Sequence, residues 1–214
     1  MKANRMINLT WLEQNFNKDL TVFDIGASGL HSGSTEFRLH FPDSKIYSFE
    51  CNDFWITNSN DNFKIATDHG IHYFHVAMSD TDGTNIFMPS ATSQGQFDPY
   101  SGSFFEPEGE HKTYHGGRLV ETMRVDTFCN KFKVKPDFIH IDAEGSEYYI
   151  LKCLGEYKPK AIWTEIQGFA TYKCGVTFET FNEMLYSQGY ELIWSNDDDG
   201  LYTLRGESFT EYNF

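Results

Sequence analysis

Four acidic residues close four separate apolar runs of the sequence: Asp24, Glu50, Asp142 and Glu165. Each run is short and rich in β-branched and aromatic residues, a composition typical of a buried strand. Because parallel strands carry their carboxyl ends at one edge of a sheet, we expect the four carboxylates to surround one cleft. Such a cleft repels anions and attracts cations, and its acids can hold a divalent metal ion or accept a proton.

A glycine turn follows the first of these acids. Residues 24–29 read Asp-Ile-Gly-Ala-Ser-Gly, and glycine lets the backbone adopt a positive φ and approach a ligand closely. A dinucleotide site would need the pattern G-x-G-x-x-G, which this turn lacks, and the acid would repel a pyrophosphate. A nicotinamide-dependent oxidoreductase is therefore disfavoured. S-adenosylmethionine has no phosphate and carries an ammonium and a sulfonium, so the acidic turn favours it.

The spacing between the first and second acids is typical of a nucleoside-binding site. Glu50 lies about 26 residues after Asp24, close to the spacing at which an acid binds adenosine ribose hydroxyls in a βαβ unit. The alternative is a solvated charge at a strand end. The pairing of the two acids favours the ribose contact.

The elements that must position these acids alternate along the chain. Apolar periodicity predicts helices at residues 8–16, 34–40, 126–132, 146–154 and 178–188, and strands at residues 21–23, 45–50, 72–78, 84–88, 119–125, 138–141 and 161–166. Residues 190–194 and 201–204 predict a closing antiparallel hairpin. The alternation indicates an α/β fold with a doubly wound, Rossmann-like, mostly parallel sheet, in a single domain over residues 1–214.

Composition limits the partners. The 214 residues are 40% hydrophobic and 17% aromatic, which is enough for a sizeable core, and the formal net charge is −14. That charge disfavours nucleic acid and acidic membrane surfaces. The four cysteines are scattered without a C-x-x-C pair, which argues against a zinc knuckle. We see neither a signal peptide nor a membrane span, so we expect a cytoplasmic protein with reduced thiols.

One segment does not fit the alternation. Residues 89–117 hold many serines and glycines, several aromatic residues and two histidines, His111 and His115. We expect a long loop there, acting as a lid or as an acceptor-recognition loop. The alternative is an ordered surface excursion whose aromatic side chains pack on the domain.

Five blocks of the sequence occur in a familiar order. They are Val-Phe-Asp-Ile-Gly-Ala at 22–27, Tyr-Ser-Phe-Glu-Cys at 47–51, Val-Ala-Met-Ser-Asp-x-x-Gly at 76–83, Val-Asp-Thr-Phe at 125–128 and Phe-Ile-His-Ile-Asp-Ala-Glu-Gly-Ser-Glu at 138–147. In this order they resemble the FkbM-type S-adenosylmethionine-dependent methyltransferases, over about two thirds of the chain. The resemblance implies a seven-stranded class I methyltransferase fold. It also implies methylation of hydroxyl groups, often on sugars or on polyketide-type small molecules.

The resemblance also implies which residues bind the cofactor. The set is Asp24, Gly26, Ala27, Ser28, Gly29, Glu50, Cys51, Ala77, Met78 and Asp142. Within it the glycine turn lines the methionine end, Glu50 binds the ribose, and Ala77 with Met78 flanks the adenine. The chain departs from the usual family pattern at Ser28, His140 and Ala143, which leaves the acceptor contacts open.

Transfer of a methyl group to a hydroxyl requires removal of the hydroxyl proton. The candidates for catalysis are Asp142, Glu144 and Glu165, and the same three acids can hold Mg²⁺ or Mn²⁺, which would lower the pKa of the hydroxyl. Glu144 can instead simply cap the following helix. His115 is another candidate base. His140 alternates with two isoleucines and is better explained as a core histidine.

The predicted function is therefore S-adenosylmethionine-dependent O-methylation of a sugar or glycan hydroxyl. One alternative is O-methylation of a non-sugar small molecule such as a polyketide. The other, from a different class, is a catalytically silent domain that binds S-adenosylmethionine and serves as a partner module. The acids retained at the ends of the strands predicted at residues 138–141 and 161–166 argue against the silent domain. The sequence leaves the oligomeric state open.

Overall fold

The structure, a computed structural model, describes residues 7–30, 33–57, 61–92, 96–108, 112–114 and 116–213. The helices in these ranges are α1 Leu9–Asn15, α2 Ser34–His40, α3 Phe54–Thr57, α4 Asn62–His69, α5 Val125–Phe132, α6 Glu147–Leu151, α7 Gly168–Thr171 and α8 Phe178–Ser187. The strands are β1 Thr21–Ile25, β2 Lys45–Phe49, β3 His72–Phe74, β4 Ala77–Met78, β5 Gly83–Thr92, β6 Phe97–Ser103, β7 Lys112–Tyr114, β8 Arg118–Met123, β9 Phe138–Ile141, β10 Ala161–Glu165, β11 Tyr190–Ser195 and β12 Asp199–Leu204.

The larger sheet contains seven of the described strands, in the order β11-β12-β10-β9-β1-β2-β3. The inner pairings from β10 to β3 are parallel, whereas β12 runs antiparallel to both β10 and β11. The sheet is therefore mixed. The predicted α/β class and the predicted closing hairpin are confirmed.

The alternation of side chains along β1 explains why both faces of this sheet are covered. Phe23 and Ile25 pack into one apolar cluster with α5 and α8, while Val22 packs into a second cluster with α1 and α2. A strand that is buried on both faces needs apolar side chains on both, and β1 supplies them except at Asp24. Helices on both faces leave the carboxyl edge of the sheet as the place for a site.

Two helix starts differ in how they are capped. The Asn8 side chain accepts hydrogen bonds from the N–H groups of Thr10 and Trp11, so the first residue of the helix predicted at 8–16 caps α1. Asp126, the first residue of the helix predicted at 126–132, does not cap α5. Arg124 is the N-cap residue, and Asp126 lies in the first turn, where its carboxylate pairs with the Arg124 guanidinium at 2.7 Å.

A second sheet was not predicted. In the described chain it has the order β4-β8-β5-β6, with β7 also paired to β5. It breaks the predicted strand at residues 72–78 into β3, which joins the large sheet, and β4, which pairs with β8. The prediction of a long loop at residues 89–117 is wrong for the described residues, because β5, β6 and β7 pair there.

None of the helices in the described ranges is both long enough and apolar enough to cross a lipid bilayer. His111 and His115 lie outside the described residues, so the prediction of a base at His115 stays a prediction.

Candidate functional site

A cavity opens where β1, β2 and β9 end, and the second sheet covers it. The empty space there is about 570 Å³, a volume that includes solvent at its open mouth. The residues that line it come from both sheets. They are Ile25, Gly26, Ser28, Phe49, Glu50, Cys51, Asn52, Val76, Ala77, Met78, Phe87, Pro99, Tyr100, Gly102, Ser103, Phe104, Asp142, Ala143, Glu144, Ser146 and Ile150. Most of the predicted cofactor residues are in this set.

The glycine turn fits its place because Gly26 has no side chain. Its φ is +77°, and a Cβ there would lie 1.9 Å from the backbone oxygen of Asp142. The N–H groups of Gly26 and Ala27 both donate to the backbone oxygen of Phe49, at 3.0 and 3.1 Å. The ends of β1, β2 and β9 are thereby drawn together at one wall of the cavity.

Glu50 is buried at this wall, and its carboxylate is held by the backbone. It accepts the N–H of Ser28 at 2.8 Å and the N–H of Asn52 at 2.6 Å. Burial raises the pKa of Glu50 to about 7, against the opposing effect of these hydrogen bonds, and the charge of Asp24 adds to the rise. An ionised carboxylate has about four acceptor sites, so after two backbone contacts it can still accept from ligand hydroxyls.

The raised pKa predicts a pH-dependent stability. Above the ordinary value of 4.5 the unfolded chain loses the Glu50 proton, whereas the folded chain keeps it up to about pH 7. The free energy of unfolding should therefore fall as the pH rises through this window. Urea denaturation at several pH values would show a flatter dependence for Glu50→Gln than for the exposed control Glu121→Gln. Parallel curves for the two variants would contradict the raised pKa.

Asp24 does not line the cavity. Side chains alternate along β1, so Asp24 points to the face opposite Ile25 and is fully buried there. It accepts hydrogen bonds from the Ser34 hydroxyl and from Nδ1 of His140, the latter at 2.8 Å. Burial lowers the pKa of His140, but the hydrogen bond and charge of Asp24 outweigh this, so the net shift is upward. The structure thus pairs Asp24 with a histidine.

Two other predicted cofactor residues also lie outside the cavity lining. Ala27 is buried in the apolar cluster on the α1 and α2 side of the sheet. Gly29 lies against the Trp55 ring, since a Cβ there would be 2.8 Å from the ring. After Ile25 the turn therefore presents Gly26 and Ser28 to the cavity, while Ala27 and Gly29 pack against the domain.

Three acids come together beside the cavity, and one of them differs from the predicted trio. Ligand atoms of Asp142, Glu147 and Glu165 lie within 4.8 Å of one another, so Glu147 takes the place predicted for Glu144. Glu147 is fully buried and accepts the N–H groups of Ala143 at 2.7 Å and Gly145 at 3.0 Å. Burial, and then the charges of Asp142 and Glu144, raise the pKa of Glu147. The sequence feature that could have indicated Glu147 as a member of this cluster is its position in the acid-rich block at 138–147.

Glu144 lies in the cavity lining instead, on a strained turn. Its φ is +50°, an uncommon value for a residue other than glycine. The Tyr172 hydroxyl donates a hydrogen bond to its Oε2. Glu50, Asp142 and Glu144 are the acids of the lining, and no lysine, arginine or histidine is among the described residues that form it. The cavity therefore favours a ligand that carries positive charge and hydroxyl groups.

Comparison with solved structures shows a methyltransferase-like fold. A crystal structure of Methyltransferase FkbM from Methylobacillus flagellatus KT superposes with a TM-score of 0.57 at 15% identity, covering 94% of this chain and 48% of that one. The chain thus spans about half the length of that relative. A fibrillarin pre-rRNA processing protein from Methanococcus jannaschii superposes with a TM-score of 0.52 at 11% identity, covering 89% of this chain and 68% of that one.

Sequence comparison identifies the family, which the structural comparison alone does not. A search of curated proteins found no significant match. A family model described as the Methyltransferase FkbM domain matches residues 24–192, which contain the end of β1, all of β2, β9 and β10, and every residue of the cavity lining. This match confirms the predicted family and covers well over half of the sequence. The chain belongs to the FkbM methyltransferase family.

Proposed function

We propose that this chain is an S-adenosylmethionine-dependent O-methyltransferase that acts on a hydroxyl group of a sugar or glycan. The observation that carries the proposal is the charge of the cavity: three carboxylates line it, and its described lining has no basic side chain. A phosphate-bearing cofactor would be repelled there, whereas a sulfonium and an ammonium would be attracted. The large sheet, with parallel inner strands and an antiparallel hairpin, supports a Rossmann-like scaffold for this cofactor.

The residues present fit the cofactor. Oδ1 of Asp142 is a buried atom without a hydrogen-bond partner among the described residues, so it has an acceptor site for a cationic or N–H donor. Glu50 keeps acceptor sites for the two ribose hydroxyls. Ala77 and Met78, together with Phe49, form an apolar wall that suits an adenine ring. These contacts agree with the roles that the family resemblance implies.

The chemistry divides between cofactor and protein. S-adenosylmethionine supplies a methyl group that is already activated, so the protein mainly aligns the acceptor and removes its proton. Glu144 lies in the lining and is the proposed proton acceptor. A divalent cation could also promote loss of the hydroxyl proton, by lowering the pKa of the acceptor hydroxyl. Asp142, Glu147 and Glu165 would hold this cation, and Mg²⁺ or Mn²⁺ would suit their carboxylate oxygens.

The aromatic residues on the second-sheet side of the cavity support a sugar as the acceptor. Phe87, Tyr100 and Phe104 bring aromatic rings to the cavity lining, and aromatic faces are suited to stacking on a pyranose. Residues 89–117 thus contribute to the proposed acceptor side through Tyr100 in β6 and Phe104 after it, whereas Phe87 of β5 lies before this segment. The family resemblance supports the same substrate class.

Calorimetric titration of S-adenosylmethionine and its demethylated product tests the cofactor. We expect Glu50→Ala to weaken binding roughly 10- to 100-fold, because hydrogen bonds to a charged group are worth about 1.5–3 kcal/mol. Glu121→Ala removes the same charge at an exposed position of β8 and should bind like the wild type. Titrations with EDTA and with added magnesium would reveal a metal contribution. Equal affinity of both variants would contradict the ribose contact.

The acceptor needs a second assay. Radiolabelled methyl transfer to a panel of free sugars and glycans, with polyketide hydroxyls included for comparison, would identify the substrate class. Transfer only to the polyketide members would overturn the sugar proposal and leave the methyltransferase proposal standing.

A further inference from the structure

The turn at residues 143–146 is held in a strained backbone conformation. Glu144 has a φ of +50° and Gly145 a φ of +95°. A residue other than glycine in this region costs on the order of 1 kcal/mol or more, and it persists where the surrounding structure holds it in place. The strained turn must therefore be held in place by the groups that contact Glu144 and its neighbours.

Two side chains fix the backbone of this turn through three hydrogen bonds. From within, the Glu147 carboxylate accepts the N–H groups of Ala143 and Gly145 at 2.7 and 3.0 Å. From the second sheet, the Ser103 hydroxyl donates to the backbone oxygen of Glu144 at 2.7 Å. All three hydrogen bonds are made to backbone atoms, so they set the path of the chain and do not act on the Glu144 side chain.

Among the described residues, Tyr172 makes a contact that acts on the side chain itself. Its hydroxyl donates to Oε2 of Glu144. Its ring lies directly on Gly145, where an added Cβ would be 3.0 to 3.2 Å from Tyr172 atoms. Tyr172 is only 2% exposed and lies outside the cavity lining. It therefore reaches the cavity through Glu144.

Tyr172 is itself held by the chain that follows β6. It forms a β-bridge with Pro107. On either side, the N–H of Glu108 donates to the oxygen of Thr171 at 2.7 Å, and the N–H of Lys173 donates to the oxygen of Glu106 at 2.8 Å. The tyrosine is thus fixed in backbone as well as side chain, which is what a rigid support for another group requires.

We propose that Tyr172 is a positioning residue for methyl transfer, whose hydroxyl holds the Glu144 carboxylate where it takes the proton of the acceptor hydroxyl. This inference rests on the proposed function. In the step, the acceptor O–H bond breaks as its oxygen bonds to the methyl carbon. The proton passes to Glu144, and the electron pair of the broken carbon–sulfur bond stays on the sulfur.

The kinetic test is Tyr172→Phe, which keeps the ring on Gly145 and removes only the hydroxyl. We expect kcat to fall about 10-fold, with the KM for the acceptor and the affinity for S-adenosylmethionine nearly unchanged. In a Glu144→Gln background the same change should cost nothing further, because the two residues act as one unit. Tyr149→Phe is the matched control, since it removes a hydroxyl that donates at 2.6 Å to the backbone oxygen of Cys174. An equal loss of kcat in the control, or additive losses in the double variant, would overturn the inference.

A crystal structure of Tyr172→Phe tests the inference without any acceptor. We expect the Glu144 carboxylate to leave its single position or to occupy several, while the backbone at residues 143–146 stays in place. A carboxylate that keeps its wild-type position would refute the positioning role, whatever the activity. Failure of S-adenosylmethionine to bind the wild-type protein would instead refute the proposed function, so the two failures are distinguishable.

Discussion

The Gly26→Ala variant is expected to lose affinity for S-adenosylmethionine by more than about 100-fold, and its folded state should be destabilised. A Cβ at this position would lie 1.9 Å from the backbone oxygen of Asp142 and 2.8 Å from the adjoining carbonyl carbon. Backbone atoms cannot yield as a flexible side chain can, so the ends of β1 and β9 must separate. The cavity wall that contains Ser28 and Asp142 would move with them.

A second glycine provides the control for this prediction. Gly70 also has a positive φ, +65°, but an added Cβ there would meet no atom within 4 Å. Gly70→Ala therefore carries the conformational penalty without the clash, and it should cost about 1 kcal/mol of stability and leave cofactor binding unchanged. Calorimetry and thermal unfolding of both variants give the comparison. Similar cofactor affinity in the two would show that the close approach of β1 and β9 is unimportant.

The Glu144→Gln variant should lose turnover roughly 100- to 10,000-fold, the range that general base catalysis supplies. Glutamine keeps the size of the side chain and can still accept the Tyr172 hydrogen bond, but it cannot take a proton from an acceptor hydroxyl. Affinity for S-adenosylmethionine should change little, because Glu50 and Asp142 are the acids proposed to hold the cofactor. Rates of methyl transfer to the best acceptor of the panel measure the effect.

The control for this variant is Glu121→Gln, an exposed acid of β8, which should turn over at the wild-type rate. Full activity of Glu144→Gln would remove Glu144 from the chemistry. Glu165, buried beside Asp142, would then be the next residue to change.

Strongly periodic segments were predictable from the sequence. The bounds of α2 at Ser34–His40 match the prediction, and so do the positions of β2, β9 and β10 within a residue. In these segments the local preference and the buried environment agree, so the pattern of apolar residues is sufficient. The resemblance to the FkbM family added candidate cofactor-binding residues that spacing alone did not indicate, such as Ala77 and Met78 of β4.

The second sheet could not be predicted in this way. Strands β5 and β6 contain Pro89, Pro99 and several serines and glycines, which have low intrinsic strand preference. Pairing with neighbouring strands decides their conformation, and such pairing joins residues far apart in the sequence, as between Ala77 and Thr122 in β4 and β8. Gly102 makes room for the Phe87 ring, since an added Cβ would lie 2.0 Å from it.

The end of β1 decides on which side of the sheet Asp24 lies, and so whether it can bind the cofactor. The first strand was predicted to stop before Asp24, but it continues to Ile25. Because side chains alternate along a strand, this continuation turns Asp24 away from the cavity and toward His140, its neighbour in the pairing of β1 with β9. Glu147 was missed as a member of the acid cluster because it was interpreted only as part of the following helix.

The position of β4 has a thermodynamic consequence. Ala77 and Met78 form the wall proposed for the adenine, yet they belong to the same sheet as Phe87 and Tyr100 on the side proposed for the acceptor. Any ordering of that sheet brought about by one ligand reduces the entropy that the other must give up on binding. By linkage, each ligand then raises the affinity of the other by the same factor. Cofactor and acceptor would then bind cooperatively through the sheet, in addition to their direct contact at the methyl group.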